Sequence, residues 1–144
     1  MPIKVLLVDD ETSFVETLAK RLTIRNLDVV TAGSADEAFT QLARKAVDVV
    51  LLDVKMPGTD GLTAIKTIKR RYPLVEVILL SGHANLEASV GGMALGAFDY
   101  LLKPVRLEEL VYKIEDAYKR KSIQEEKIRT LREVGVSSPA EPAS

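Results

Sequence analysis

Five short apolar runs, evenly spaced along the chain, restrict the folds open to this sequence more than any other feature. They are residues 3–8, 27–30, 47–52, 75–80 and 98–102. Three of the runs are nearly continuous Val, Ile and Leu, which is typical of strands buried on both faces of a parallel sheet. The gaps between the runs are too long for hairpin turns. The runs therefore predict five strands of a parallel sheet.

Apolar residues recur at helical spacing after each of these runs and predict five amphipathic helices. The positions are Phe14, Val15, Leu18 and Leu22; Ala35, Ala38, Phe39 and Leu42; Leu62, Ile65 and Ile68; Leu86, Val90 and Met93; and Leu107, Leu110, Val111 and Ile114. Strand and helix thus alternate, which predicts an α/β fold of the (βα)5 type.

Signals for helix ends agree with this pattern. Ser34 and Glu37 form a capping box before the second helix, Tyr72-Pro73 closes the third, Gly96 ends the fourth, and the fifth begins near Arg106. Right-handed crossovers place the helices on both faces of the sheet. The doubly wound strand order 2-1-3-4-5 is the simplest one for five strands.

Composition excludes several classes of protein. The 144 residues are 47% hydrophobic and 28% charged, which suits one compact domain. A net charge of -1 provides no basic field for direct binding of nucleic acid or an anionic membrane. Because cysteine is absent, disulfides, thiolate metal ligands and a cysteine nucleophile are excluded. The apolar runs are too short to span a bilayer and no signal peptide is evident, so we expect a soluble cytoplasmic protein.

The sequence becomes highly charged, with few large apolar residues, after about residue 120. We interpret 1–120 as the globular domain, 121–134 as a charged extension of the last helix, and 135–144 as a disordered tail of small and proline residues. Motifs of a helix-turn-helix, ATPase or cyclase output domain do not follow. Either the chain acts by protein contact alone, or an output domain belongs to a longer parent protein.

Polar residues follow the predicted strands at the edge where open parallel sheets bind ligands. They are Asp9, Asp10 and Glu11 after strand 1, Asp53 after strand 3, Ser81 after strand 4, and Lys103 and Pro104 after strand 5. Since strands 1 and 3 are neighbours in the proposed order, three aspartates crowd one edge. Crowded carboxylates repel each other unless a cation lies among them, and an oxygen-only ligand set favours Mg2+ over zinc.

Taken singly, each of these residues also suits a helix cap, a turn or a solvated surface. Together, a metal, the Ser81 hydroxyl and the Lys103 ammonium converge on one carboxylate and form a site for phosphoryl oxygens. Asp53 is then the nucleophile that forms an aspartyl phosphate. His83, the only histidine, lies two residues past Ser81. It is either an exposed loop residue or one that controls the access of water to the phosphate.

Four motifs resemble those of the receiver domains of two-component response regulators. They are VDD at 8–10, LLDVKMPGTDG at 51–61, LLSGHA at 79–84 and FDYLLKP at 98–104. The resemblance extends over about residues 3–120. It implies a flavodoxin-like fold with the same strand order, and it adds roles that residue patterns alone do not supply.

The resemblance implies that Asp53 accepts a phosphoryl group from a sensor histidine kinase or a histidine phosphotransfer protein. Asp9, Asp10, Asp53 and the backbone carbonyl of Lys55 would bind Mg2+, for which Mn2+ can substitute. Ser81 would move to the phosphate, Lys103 would pair with it, and Tyr100 would rotate inward as the switch. The flanking residues are Glu11, Gly82, His83 and Pro104, the last after a cis peptide bond.

The leading hypothesis is a signalling protein, not an enzyme, that catalyses only its own phosphorylation and dephosphorylation. Its switched surface, formed by helix 4, strand 5 and helix 5, would bind a downstream protein, and helix 5 could also form a homodimer. A dehalogenase-like phosphatase is one alternative. That family, however, has two aspartates separated by one residue (D-x-D) after its first strand, whereas Asp9 and Asp10 are adjacent here. The other alternative is a scaffold of receiver fold that binds a partner without phosphorylation.

Overall fold

The computed structural model of the chain describes residues 2–56 and 58–135. Five parallel strands form one sheet in the order β2-β1-β3-β4-β5. The strands are β1 (Lys4–Val8), β2 (Asp28–Ala32), β3 (Val49–Asp53), β4 (Glu76–Ser81) and β5 (Asp99–Leu102). The predicted fold class and strand order are confirmed.

Five helices connect and follow the strands. They are α1 (Thr12–Ile24), α2 (Ala35–Arg44), α3 (Gly61–Arg71), α4 (Leu86–Ala94) and α5 (Leu107–Glu133). The Ser34 side chain caps α2 by accepting a hydrogen bond from the Glu37 N–H, and the Glu37 carboxylate accepts one from the Gly33 N–H at 2.7 Å. Helix α4 ends just before Gly96, which has a φ of 105° that favours glycine.

Alternate residues of the central strands face opposite sides of the sheet, and both sides are buried. Leu6, Val8 and Leu52 pack with residues of α2, α3 and α4 in one core cluster. Val5 and Leu7 pack with α1 and α5 in the other. This double burial explains why the strand sequences are nearly continuous in apolar residues.

The bounds of the strands differ slightly from the apolar runs. The run at 47–52 begins before β3, because Val47 is buried in the core from the loop that precedes the strand. Asp53 and Ser81 are the last residues of β3 and β4, so these polar groups are held by the ladder itself. Hydrophobic runs report burial, which does not begin and end at the hydrogen-bonded ladder.

Helix α5 is continuous for 27 residues and passes through the segment 121–134 as far as Glu133. Its last fully buried residue is Ala117. Beyond it, Arg120 pairs with both carboxylate oxygens of the buried Glu76, and Lys121 pairs with Asp48 at 3.1 Å. Charged contacts therefore attach the helix to the amino-terminal edge of the sheet at the point where its apolar contacts end.

The predicted tail, 135–144, lies outside the described residues apart from Gly135. Among residues 2–56 and 58–135, no helix combines the length and apolar character that crossing a bilayer requires.

Candidate functional site

The register of the sheet brings the predicted site residues to one edge. Val8 of β1 pairs with Leu52 of β3, so the next residues, Asp9 and Asp53, lie at adjacent strand ends. Ser81 pairs with Leu102 of β5, and Lys103 follows directly. The backbone N–H of Lys103 donates to the Ser81 carbonyl at 2.7 Å. Residues far apart in sequence therefore converge because parallel strands end at the same edge.

Three carboxylates form a cluster at this edge. Oxygen atoms of Asp9, Asp10 and Asp53 lie within 4.8 Å of one another. Asp9 and Asp53 are only 2% and 7% exposed, whereas Asp10 faces solvent. Buried carboxylates at this separation repel each other, and a divalent cation would offset that repulsion.

The cluster also fits Mg2+ in its dimensions and its ligand type. Ligand oxygens of an octahedral Mg2+ ion are about 3 Å apart when adjacent and about 4.2 Å apart when opposite, and both separations fall within the 4.8 Å limit for these oxygens. All three side chains offer hard oxygen ligands, and the partly exposed Asp10 leaves room for the water molecules that Mg2+ usually retains.

The protonation of Asp53 reflects this crowding. Burial and the negative charge of Asp9 raise the pKa of Asp53 to about 6, with a smaller contribution from Asp10. The Lys103 charge and the hydrogen bond from the Lys55 N–H, 3.4 Å from Oδ1, act in the opposite direction. The ionised form of Asp53 is thus destabilised in the folded protein, and a cation beside the carboxylate would stabilise it.

Lys103 lies against Asp9. Its Nζ donates a hydrogen bond to Asp9 Oδ2 at 2.6 Å and lies 3.6 Å from a carboxylate oxygen of Glu11. Burial lowers the pKa of Lys103, but the hydrogen bond to Asp9 and the charges of Asp53, Asp9 and Glu11 outweigh it, so the net shift is upward. The ammonium is therefore a permanent positive charge at the rim of the acidic cluster.

The Ser81 hydroxyl forms two hydrogen bonds with the backbone of His83. Its Oγ donates to the His83 carbonyl at 2.9 Å and accepts from the His83 N–H at 3.1 Å. The Tyr100 hydroxyl donates to the same carbonyl at 3.4 Å. The two residues predicted to switch thus share one acceptor in the loop between β4 and α4.

The remaining flanking residues are placed as follows. Gly82 and the His83 side chain are exposed in the β4–α4 loop, and a Cβ at Gly82 would meet no heavy atom within 4 Å. Glu11 is the N-cap residue of α1, although its side chain makes no capping hydrogen bond. Pro104 is exposed and follows a cis peptide bond, as the resemblance implied.

Sequence reasoning missed two residues of the site. Gly61 begins α3 against the end of β3, where a Cβ would lie 2.5 Å from the Asp53 carbonyl oxygen and 2.7 Å from Val54 Cα. Phe14, which we assigned only to the apolar stripe of α1, places its ring centroid 4.2 Å from the Lys103 ammonium. The sequence signal for Gly61 was a glycine at the start of a predicted helix. The signal for Phe14 was weaker, namely its position one helical turn beyond Asp10.

Comparison with known proteins settles the family. The family model described as "Response regulator receiver domain" matches residues 5–115. The chain is a receiver domain. The resemblance seen in the four sequence motifs is confirmed, and with it the assignment to a family of signalling modules.

Curated relatives of this receiver domain include response regulators of the NtrC and NtrX types. It is 40% identical over 111 residues to the DNA-binding transcriptional regulator NtrC of Klebsiella pneumoniae, which covers 77% of this chain and 24% of that protein. It is 36% identical over 128 residues to an NtrX-like response regulator of Rickettsia bellii, covering 88% and 27%. The chain spans about a quarter of the length of these relatives.

Solved structures share the fold of this receiver domain. A receiver domain from Clostridium thermocellum superposes with a TM-score of 0.80 at 35% identity, covering 84% of this chain and 98% of that one. NtrX from Brucella abortus superposes with a TM-score of 0.83 at 30% identity, covering 90% of this chain and 30% of that one.

Proposed function

We propose that this receiver domain accepts a phosphoryl group on Asp53 from the phosphohistidine of a sensor histidine kinase or a histidine phosphotransfer protein. The observation that carries the proposal is the convergence of Asp53 with Asp9 and Asp10 beside Lys103 at one strand edge. A scaffold needs no such arrangement, because burying close carboxylates reduces stability unless they serve a cation or a reaction. Membership of the receiver family also argues against the dehalogenase-like phosphatase.

In this reaction an Asp53 carboxylate oxygen attacks phosphorus in line with the phosphohistidine nitrogen. The new O–P bond forms as the N–P bond breaks, and the histidine nitrogen leaves with the bonding electron pair. The hydrogen bond from the Lys55 N–H orients the Asp53 carboxylate. With a pKa of about 6, Asp53 is mostly ionised at neutral pH and can act as the nucleophile.

Asp9, Asp10, Asp53 and the Lys55 carbonyl would hold Mg2+, or Mn2+ in its place. The bound ion would offset the negative charge of the carboxylates and of the phosphoryl oxygens. The Lys103 ammonium would pair with a phosphoryl oxygen, exchanging part of its contact with Asp9 for the new anion.

Ser81 would link phosphorylation of Asp53 to a conformational change in α4 and β5. A hydroxyl that turns to the phosphate must give up its bond to the His83 carbonyl, which also accepts from Tyr100. The loop between β4 and α4 and the Tyr100 side chain are thereby linked. We propose that Tyr100 moves inward as this bond is exchanged, and that α4 and β5 shift with it.

The face formed by α4, β5 and α5 is suited to a protein partner. It carries exposed apolar side chains, which are Leu86, Val90, Met93, Leu102 and Tyr112. An exposed apolar patch of this kind is typical of a binding surface. We propose a downstream protein as its partner, and a homodimer through α5 as a second mode, with no direct contact to nucleic acid.

Intact-mass measurement after incubation with Mg2+ and acetyl phosphate tests the phosphoacceptor role. We expect one phosphoryl adduct on the wild type, no adduct without Mg2+, and no adduct on Asp53→Asn. Asp28→Asn is the matched control, because it makes the same exchange at an exposed aspartate that begins β2, at the opposite end of the strands from the site, and it should keep the adduct. An adduct on Asp53→Asn at the wild-type rate would contradict the assignment.

Two further measurements separate the alternatives. A scaffold without phosphorylation would bind no Mg2+ at this edge, so Mg2+ binding that is lost in Asp10→Ala favours the receiver mechanism over the scaffold. Sedimentation as a function of concentration, before and after phosphorylation, tests the homodimer. A mass that stays monomeric in both states would exclude it.

A further inference from the structure

The Lys103 ammonium is held by three groups of different kinds. Asp9 accepts its hydrogen bond at 2.6 Å, Glu11 lies 3.6 Å away, and the Phe14 ring centroid lies 4.2 Å away. The Lys103 side chain is 13% exposed, whereas that of Glu11 is 65% exposed and its pairing is weakened by solvent. Asp9 and Phe14 are therefore the two groups that restrain the ammonium.

Phe14 reaches the site because α1 begins at its edge. The helix starts at Thr12, directly after the residues that follow β1, so its first turn lies beside the carboxylates. Phe14 is partly buried and packs on the core cluster shared by α1 and α5. That packing fixes the ring while the contact with Lys103 uses the ring's negative face.

The two restraints respond differently to a cation. A divalent ion bound at the acidic cluster would share the charge of Asp9 and weaken its attraction for Lys103. The ring quadrupole is unchanged by that event. Phe14 is thus the restraint on Lys103 that persists while the site is loaded for reaction.

We propose that Phe14 is a positioning residue, which holds the Lys103 ammonium at the rim of the site by a cation–π contact so that it meets the incoming phosphoryl group. This inference rests on the proposed function. Phe14 touches neither the phosphoryl donor nor Asp53 in this role and acts only through Lys103.

Two substitutions separate the ring face from simple packing. Phe14→Leu keeps an apolar side chain but removes the ring, and Phe14→Tyr keeps the ring. With acetyl phosphate and Mg2+, we expect the rate of adduct formation to fall about 3- to 10-fold in Phe14→Leu and to stay near wild type in Phe14→Tyr. In a Lys103→Met background, Phe14→Leu should cause no further loss. Thermal unfolding of each variant identifies any that fails to fold.

Side-chain NMR of the protein without Mg2+ provides a readout independent of activity. We expect the Lys103 Hε protons of the wild type to lie upfield of those of other lysines, because they are on the carbon bonded to the Nζ that lies over the ring. The NMR order parameter of the Lys103 Cε–H bonds should be lower in Phe14→Leu than in the wild type, and it should be near the wild-type value in Phe14→Tyr.

The outcomes distinguish the two proposals. If the folded wild type gains no adduct from acetyl phosphate or from a kinase phosphohistidine, the proposed function fails and the role of Phe14 fails with it. If the wild type reacts but Phe14→Leu matches it in the rate of adduct formation and in the Lys103 order parameter, only the positioning role is overturned. A loss in Phe14→Leu that persists in the Lys103→Met background also overturns it.

Discussion

Replacing Asp53 with asparagine should make the protein more stable at neutral pH in the absence of Mg2+. Asp53 is 7% exposed and shares the strand edge with Asp9 and Asp10. Burial and the charge of Asp9 raise its pKa from an ordinary value of 3.8 to about 6. Asparagine has nearly the same shape and no charge, so it relieves both unfavourable effects.

The sign and size of the effect follow from proton linkage. Below about pH 4 the carboxyl is protonated in the native and the unfolded chain, and its ionisation costs nothing. Between about pH 4 and pH 6 the unfolded chain ionises while the native protein holds its proton, so stability falls as pH rises. Above pH 6 the loss is complete and amounts to about 2 to 3 kcal/mol, which Asp53→Asn should recover.

Urea unfolding followed by far-UV circular dichroism, with EDTA present, measures this gain. Asp53→Asn should exceed the wild type by about 2 to 3 kcal/mol at about pH 8 and by only about 1 kcal/mol at about pH 4.5. Asp10→Asn is the control, and its gain should be smaller because Asp10 is exposed. Addition of Mg2+ should narrow the gap between wild type and Asp53→Asn, since the wild type binds the ion more tightly. A gain that is absent at about pH 8, or equal at both pH values, would refute this reasoning.

Five further substitutions test the packing around the site and the helices. In α4, Gly91→Ala should stabilise the protein to urea by about 0.5 to 1 kcal/mol, because a Cβ there meets nothing closer than 3.9 Å. Gly92→Ala should destabilise it, because its Cβ would lie 2.3 Å from a buried leucine of β4, and equal effects of the two would contradict this packing. Glu76→Gln should cost about 1 to 2 kcal/mol in urea unfolding, since it removes the buried carboxylate that pairs with the half-buried Lys69 and the partly exposed Arg120. Arg25→Ala, at an exposed pair, should cost less than about 1 kcal/mol. Gly61→Ala should both slow adduct formation and reduce stability, and wild-type behaviour in both assays would show that the close approach is not required.

The fold was predictable from the sequence because its signals are local. Strands buried on both faces must be apolar along their whole length, and residues 49–52 satisfy this without help from elsewhere in the chain. Helix ends depend on nearby groups, as at Ser34 and Gly96. Once the strand order is known, parallel strands must end at one edge, which is why Asp9 and Asp53 could be predicted to lie close together.

Other features depend on how distant segments pack, and only the tertiary structure shows them. Nothing in the local sequence indicates that Lys103 pairs with Asp9 and faces Phe14, because those contacts depend on where the residue after β5 lies relative to the residues that follow β1. The raised pKa of Asp53 depends likewise on burial and on a neighbour 44 positions away. The sequence by itself determined which residues are apolar, which turns are available and which acids lie at strand ends. Tertiary structure decided the distances between them, because charge interactions and steric contacts depend on separations of a few ångströms that local pattern does not encode.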